Sequence, residues 1–149
     1  MQVWKYTVWI ERSPERVFDF LFDFAQAPRW RSFVRSMEQV DPGTAQAGTR
    51  IRSLLDVAGE EQELVLTLTA VERPRVWRHR TGETDFVGEV EYKLVPEKNG
   101  TRVTLSAQAT PVTLYGWLAL PLLFLNRGRA YREQLPRLKQ VLEEGSSRE

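Results

Sequence analysis

Few side chains in this chain can do chemistry near neutral pH, and they are scattered along it. His79 is the one histidine, and there is no cysteine. A lone imidazole without thiolate companions cannot complete a tetrahedral metal site, so no metal is expected. A cysteine nucleophile is excluded on the same ground. His79 can serve as a general acid or base, or it can simply line a cavity or sit hydrogen-bonded in a core. Tyr92 and Tyr115 can each offer a hydroxyl to a ligand or to a carbonyl. Each can equally be core aromatic surface with its hydroxyl satisfied locally. His79 and Tyr92 are the candidates for catalysis. Ser53 stands inside an apolar row, where it either orients a ligand or acts as a small spacer. Ser32 and Ser106 lie in no G-x-S-x-G pattern. No G-x-G-x-x-G or Walker pattern is present, so no nucleotide cofactor is expected, and no other cofactor is called for.

The acids form no catalytic pair. Glu60, Glu61 and Glu63 cluster at a strand turn, and Glu89 and Glu91 share a face with Lys93. With no carboxylate pair placed inward, two-carboxylate chemistry of the glycosidase or aspartic-protease kind is not expected. Arg29, Arg31 and Arg35 interleave with Trp30 and Phe33, with no acid before Glu38. That patch suits transient contact with anionic lipid or an acidic partner, or it is a solvated loop with Trp30 tucked into the core. Twenty-one basic against twenty acidic residues leave a net charge of +1, so no global field favours nucleic acid.

These residues need elements to hold them. A chain of 149 residues is one domain by length. Val3–Glu11 alternates, with Trp4, Tyr6, Val8 and Ile10 on one face, and reads as a half-buried strand. Ser13-Pro14-Glu15 is a helix start, and Pro14–Phe24 places Val17, Phe18, Leu21 and Phe24 on one stripe. Ala27-Pro28 interrupts it. Five β segments follow, at about 49–58, 61–72, 75–81, 84–96 and 101–110. Turns at Gly59, Arg73-Pro74, Gly82 and Asn99-Gly100 join them as antiparallel neighbours. Closing the hairpins there pairs Leu55 with Leu66, Ala70 with Trp77, Trp77 with Gly88, and Leu94 with Leu105. An inner face then carries Ile51, Ser53, Leu55, Leu64, Leu66, Leu68, Trp77, His79, Phe86, Val90, Tyr92, Leu94, Val103 and Leu105. Arg52, Glu63, Arg78, Arg80, Glu89, Glu91, Lys93 and Arg102 fall outside.

The stretch LYGWLALPLLFL at 114–125 is apolar or small all round, so it should be surrounded by protein or lipid. It is too short to cross a bilayer, which takes about 20 residues. The charged stretch after it carries Tyr131, Leu135, Leu138 and Leu142 on one stripe. A terminal helix over the inner face is therefore expected, with Pro121 and Pro136 as possible kinks and Pro121 as the possible start of a separate helix. The N-terminus lacks a signal-peptide pattern, so a cytoplasmic protein is expected, with a position peripheral to a membrane as the alternative.

The residues Ile10–Trp30 (IERSPERVFDFLFDFAQAPRW), Ala47–Arg52 (AGTRIR), Glu91–Gln108 (EYKLVPEKNGTRVTLSAQ) and Leu135–Glu144 (LPRLKQVLEE) together resemble the polyketide cyclase/START-like superfamily, also called SRPBCC. The resemblance implies an α+β helix-grip fold: a curved antiparallel sheet of six or seven strands around a long C-terminal helix, with two short helices after the first strand. Residues 1–144 would form that single domain, and 145–149 a disordered polar tail. The chain departs from the pattern where Trp30 leads into Arg31-Ser32-Phe33, a place at which members often carry Pro. The superfamily hosts carriers, cyclases and interaction modules alike, so the fold does not choose among them.

Three readings follow. The first is binding or transport of a hydrophobic small molecule, such as a lipid, quinone or polyketide-like compound, in a cavity between sheet and terminal helix. Trp30, Leu55, Leu66, Leu68, Trp77, His79, Phe86, Tyr92, Tyr115, Leu118 and Leu122 would be its ligand-binding residues. The second is a cyclase- or dehydratase-type enzyme using His79 and a tyrosine. The third is a membrane-adjacent interaction module, distinguished by exposure of residues 114–125. A single group titrating near neutrality favours carriage over catalysis.

Overall fold

The computed structural model describes the backbone of residues 2–57, 59–82 and 86–145, with side chains for these except 2, 57, 120–130 and 145. Strand β1 (Gln2–Ile10) leads to helix α1 (Pro14–Leu21), a 3-10 turn at Phe24–Gln26 and helix α2 (Ala27–Trp30). Six strands follow: β2 (Val34–Gln39), β3 (Arg50–Val57), β4 (Glu60–Glu72), β5 (Val76–Gly82), β6 (Phe86–Glu97) and β7 (Gly100–Pro111). Helix α3 (Leu114–Gly145) ends the chain. The seven strands form one antiparallel sheet in the order β1-β7-β6-β5-β4-β3-β2. The helical connection α1–α2 thus carries the chain from one sheet edge to the other, and a plain meander brings it back. The α+β helix-grip architecture expected from the sequence is the one found.

Local chemistry explains the starts of α1 and α3. The Ser13 hydroxyl accepts from the Arg16 backbone N–H at 3.3 Å, with Pro14 in the first helical turn. Val17, Phe18 and Leu21 form the buried stripe of α1. The Thr113 hydroxyl accepts from the Gly116 N–H at 3.0 Å and so caps α3. Helix α3 runs through both prolines as a single element, so Pro121 does not begin a separate helix.

The inner face of the sheet carries the expected residues, yet most pairings differ from those drawn from the turns. Tyr92 pairs with Leu105 and Leu94 with Val103, two residues away from the expected register. The cause is the turn: Lys98 and Asn99, both at positive φ, are the central pair between Glu97 and Gly100, whereas the sequence pointed to Asn99-Gly100. Ile51 pairs with Leu66, because a two-residue connection joins Val57 to Glu60. Trp77 pairs with Tyr92 rather than Gly88, because β5 extends through Gly82 before turning. Gly88 faces Thr81, whose hydroxyl would lie 2.7 Å from an added Cβ, so it leaves no gap beside Trp77. Each of these shifts is even, so every side chain kept its face. Between β4 and β5 the expected register holds at Leu68–His79 and then slips by one residue at a bulge before Ala70.

Strand β2 has no counterpart in the sequence reading. A second bulge, between Val34 and Ser36, breaks its alternation, and only Val34 and Met37 are buried. Helix α3 lays Tyr131, Leu135, Leu138 and Leu142 over the inner face, with the Tyr131 ring 5.5 Å from that of Trp4. Residues 146–149, expected as a tail, lie outside the described residues.

Candidate ligand-binding site

The deepest part of the interior is walled by aromatic rings from two strands and the helical connection between β1 and β2. Trp77 of β5 stacks on its cross-strand partner Tyr92 of β6, with centroids 4.9 Å apart at 22°. Trp30, at the end of α2, meets Tyr92 edge-on at 5.8 Å. Phe22 and Phe24 meet Trp77 edge-on at 5.5 and 6.0 Å. The alternation of β5 puts His79 on the same face as Trp77, with ring centroids 5.7 Å apart. Leu66, Leu68 and Phe86 are buried on this face as well, and Leu55 is half-buried toward the β3–β4 turn.

The polar groups here were only partly legible. Tyr92 donates its hydroxyl hydrogen to Gln134 Oε1 of α3 at 2.6 Å. Gln134 is three residues after Tyr131 and four before Leu138, so it is a polar residue on the apolar stripe, and that position was its signal in the sequence. Arg31 is 5% exposed, although it was grouped with Arg29 and Arg35 as one basic patch. Its guanidinium carbon lies 5.6 Å from the Trp30 ring and 5.4 Å from the Phe33 ring, and its Nη1 reaches Met37 Sδ at 3.4 Å. Arg29 stays outside, bonded to Gln26 and lying over Phe20. Arg35 bridges Asp56 and Glu61. The three arginines therefore form no common basic surface.

Burial governs the titration of this site. Desolvation, reinforced by Arg31, pushes His79 down to about 3, so the imidazole is neutral. Desolvation pushes Tyr92 up to about 12, partly opposed by Arg31. Both His79 ring nitrogens, Trp30 Nε1, Arg31 Nε, Ser53 Oγ, Trp77 Nε1 and Gln134 Nε2 are buried without a hydrogen-bond partner among the described residues. Such a concentration is unusual, because buried polar groups are nearly always paired.

Tyr115 and Leu118 do not join this interior. They are 68% and 74% exposed, with Leu114 at 76% and Trp117 at 58%. The apolar run was expected to be surrounded by protein or lipid, with its exposure as the mark of a membrane-adjacent module. A helix packs along one stripe, and the first two turns of α3 keep these side chains in solvent. Leu122 lies outside the residues whose side chains are described. Two clefts open to the surface. One, of about 410 Å³, is lined by residues including Arg16, Phe20, Arg29 and Leu142, and the other, of about 310 Å³, by residues including Arg80, Glu89 and Val112. Neither lies between the inner face and α3.

The family model for polyketide cyclase / dehydrase and lipid transport matches residues 1–143. The chain belongs to this family. Solved structures agree on the fold. TTHA0849 from Thermus thermophilus is 22% identical, with a TM-score of 0.79 over 97% of this chain and 99% of that one. A START superfamily protein from Mycobacterium smegmatis is 13% identical, with a TM-score of 0.76 over 95% and 97%. An aromatase/cyclase from a Streptomyces species is 16% identical, with a TM-score of 0.76 over 95% and 93%. No curated protein matches the chain. Family and fold together suggest hydrophobic ligand binding or polyketide cyclase/dehydrase activity. Among the described residues no helix is long and apolar enough to cross a membrane, and no cluster of potential metal ligands occurs.

Proposed function

We propose that this protein binds an apolar small molecule between the inner face of its sheet and α3, as a carrier rather than a catalyst. The observation carrying this reading is the aromatic wall of Trp30, Trp77 and Tyr92, with buried polar atoms around it that have no hydrogen-bond partner among the described residues. Apolar surface supplies affinity, at about 25 cal/mol per Å² buried, and a few polar atoms set orientation. The same residues are poorly equipped for acid–base catalysis. His79 is held far below the range in which an imidazole exchanges protons near neutrality, and no hydrogen bond from the described residues orients its ring. Tyr92 is held well above that range.

A ligand held there would lie against the rings of Trp30, Trp77 and Tyr92. The test is titration of the full chain with the neutral probe N-phenyl-1-naphthylamine. Saturable fluorescence enhancement that a Leu68→Trp substitution weakens at least about tenfold in a folded protein supports the reading, since overpacking fills the space a ligand would take. No enhancement in the wild type contradicts it.

One observation favours a second role beside the first. Leu114, Tyr115, Trp117 and Leu118 are exposed together at the opening of α3, and Trp and Tyr suit the water–lipid boundary. Docking of this turn on a bilayer surface would rest on apolar contact, given the dispersal of the arginines. It predicts co-sedimentation with phosphatidylcholine vesicles that survives added salt and is lost on Trp117→Ser with Leu118→Ser.

A further inference from the structure

We infer that Arg31 is the counter-ion for an anionic oxygen at one end of the apolar ligand, so that the ligand is an amphiphile held head-inward. This inference rests on the binding reading above and names the chemistry of its polar end.

Arg31 is a buried cation without an anion. No ion pair involves it among the described residues, and no Asp or Glu is buried among them. Its one side-chain hydrogen-bonding contact is a thioether sulfur, a weak acceptor. Stacking on Trp30 and Phe33 partly compensates the charge but satisfies none of the guanidinium's in-plane donors. A guanidinium is suited to bidentate pairing with a planar pair of oxygens. Removing such a group from water without a partner is expensive, and proteins that retain one usually pair it.

The neighbours point the same way. Met37, which Arg31 touches, is the cross-strand partner of Ser53, whose hydroxyl is unpartnered. Trp30, on which Arg31 stacks, carries an unpartnered indole N–H and packs on Tyr92, whose own partner Gln134 has an unpartnered amide N–H. The Arg31 charge is also felt at His79 and Tyr92. The unpartnered groups are thus donors, or can turn to donate: a hydroxyl, two indoles, an amide, a guanidinium and an imidazole. An oxyanion is what such a set recognises, while the rings of Trp30, Trp77 and Tyr92 take the apolar body. The Arg31 charge acts on His79 of β5 and Tyr92 of β6, and neither of these supplies a negative charge near neutrality.

The test uses matched pairs of probes on the full chain: decanoate against decan-1-ol, and 2-naphthylacetate against 2-(2-naphthyl)ethanol, read by intrinsic tryptophan fluorescence. The two pairs separate a flexible-chain body from a ring body. In at least one pair the anion should bind about tenfold or more tightly than the alcohol near neutral pH. That preference should fall to within about twofold in Arg31→Gln and remain above about twofold but below the wild-type value in Arg31→Lys, which keeps the charge and loses the bidentate fork. Equal affinity of acid and alcohol in the wild type overturns this inference while leaving the carrier reading intact. A preference that survives Arg31→Gln does the same. Failure of all four probes to bind overturns both. If Arg31→Gln does not fold, the wild type still decides. The carboxyl carbon-13 resonance of bound decanoate should titrate at least one pH unit below that of free decanoate, because a neighbouring guanidinium favours the anion. Titration at or above the free value overturns the placement beside Arg31.

Discussion

Tyr92 on β6 and Gln134 on α3 share a hydrogen bond of 2.6 Å across the protein interior, with both residues nearly inaccessible to solvent. It is a polar tie between the inner face of the sheet and the helix that covers it.

Removing one member of that tie should cost more than removing both. Tyr92→Phe leaves the Gln134 carbonyl buried and unpaired, which costs about 1–3 kcal/mol. Gln134→Leu strands the Tyr92 hydroxyl in the same way. The double variant leaves no orphan from this pair, so it should be less destabilised than the sum of the single variants, by about 1 kcal/mol or more. Urea denaturation of the four proteins measures the cycle. Simple additivity would show that the bond contributes nothing.

His79 should make the fold acid-sensitive in a window where most carboxylates are still ionised. Its ordinary value is 6.5, and burial with the Arg31 charge holds it at about 3 in the folded state. A group depressed on folding binds its proton more readily in the unfolded chain, so acid favours unfolding. Its stabilising contribution is fully present above about 6.5 and is lost as pH falls toward 3. Between about pH 7 and pH 5 the loss should come to about 2 kcal/mol. Asp41, Glu97 and Glu143, lowered by their basic partners or hydrogen bonds, add their own losses at more acid pH. Urea melts at the two pH values should show the drop in the wild type and little of it in His79→Phe.

Gly100 is irreplaceable at the mouth of the β6–β7 hairpin for a steric reason. A Cβ there would stand 2.4 Å from the Ile10 carbonyl oxygen and 2.8 Å from the Trp9 ring, which is itself anchored by its indole N–H to the Glu97 carbonyl at 2.7 Å. Gly100→Ala should therefore destabilise by about 1–3 kcal/mol. Gly82→Ala, where an added Cβ meets nothing within 4 Å among the described residues, is the control and should be nearly neutral. Chemical denaturation of both variants checks the contrast.

The sequence made the faces of the sheet legible more securely than its pairings. Turn residues located the hairpins only to within a residue or two. Errors of an even number of residues moved Tyr92 from Ala107 to Leu105 without turning it outward. Strand β2 was hidden because the bulge between Val34 and Ser36 removes the period-two signal. At the site, Trp77, His79 and Tyr92 could be placed from strand alternation alone. Arg31 could not, because charge type argues for solvent and only the packing of α2 against β2 draws it inside. Gln134 was passed over as one polar residue among many on a charged helix. The opening of α3 stayed undecided for a different reason: apolar composition asks for a cover of protein or lipid, but does not say whether another element of the chain provides it.

The most direct test of the central claim is a map of methyl chemical shifts during titration of the full chain with decan-1-ol. If an apolar molecule binds between sheet and α3, the methyl resonances of Leu66, Leu68, Leu105 and Leu135, all buried in the interior, should shift together and saturate. Those of Val65 and Val95, exposed on the outer face of the sheet, should stay fixed. Shifts confined to exposed methyls, or none at saturating probe, would contradict the account.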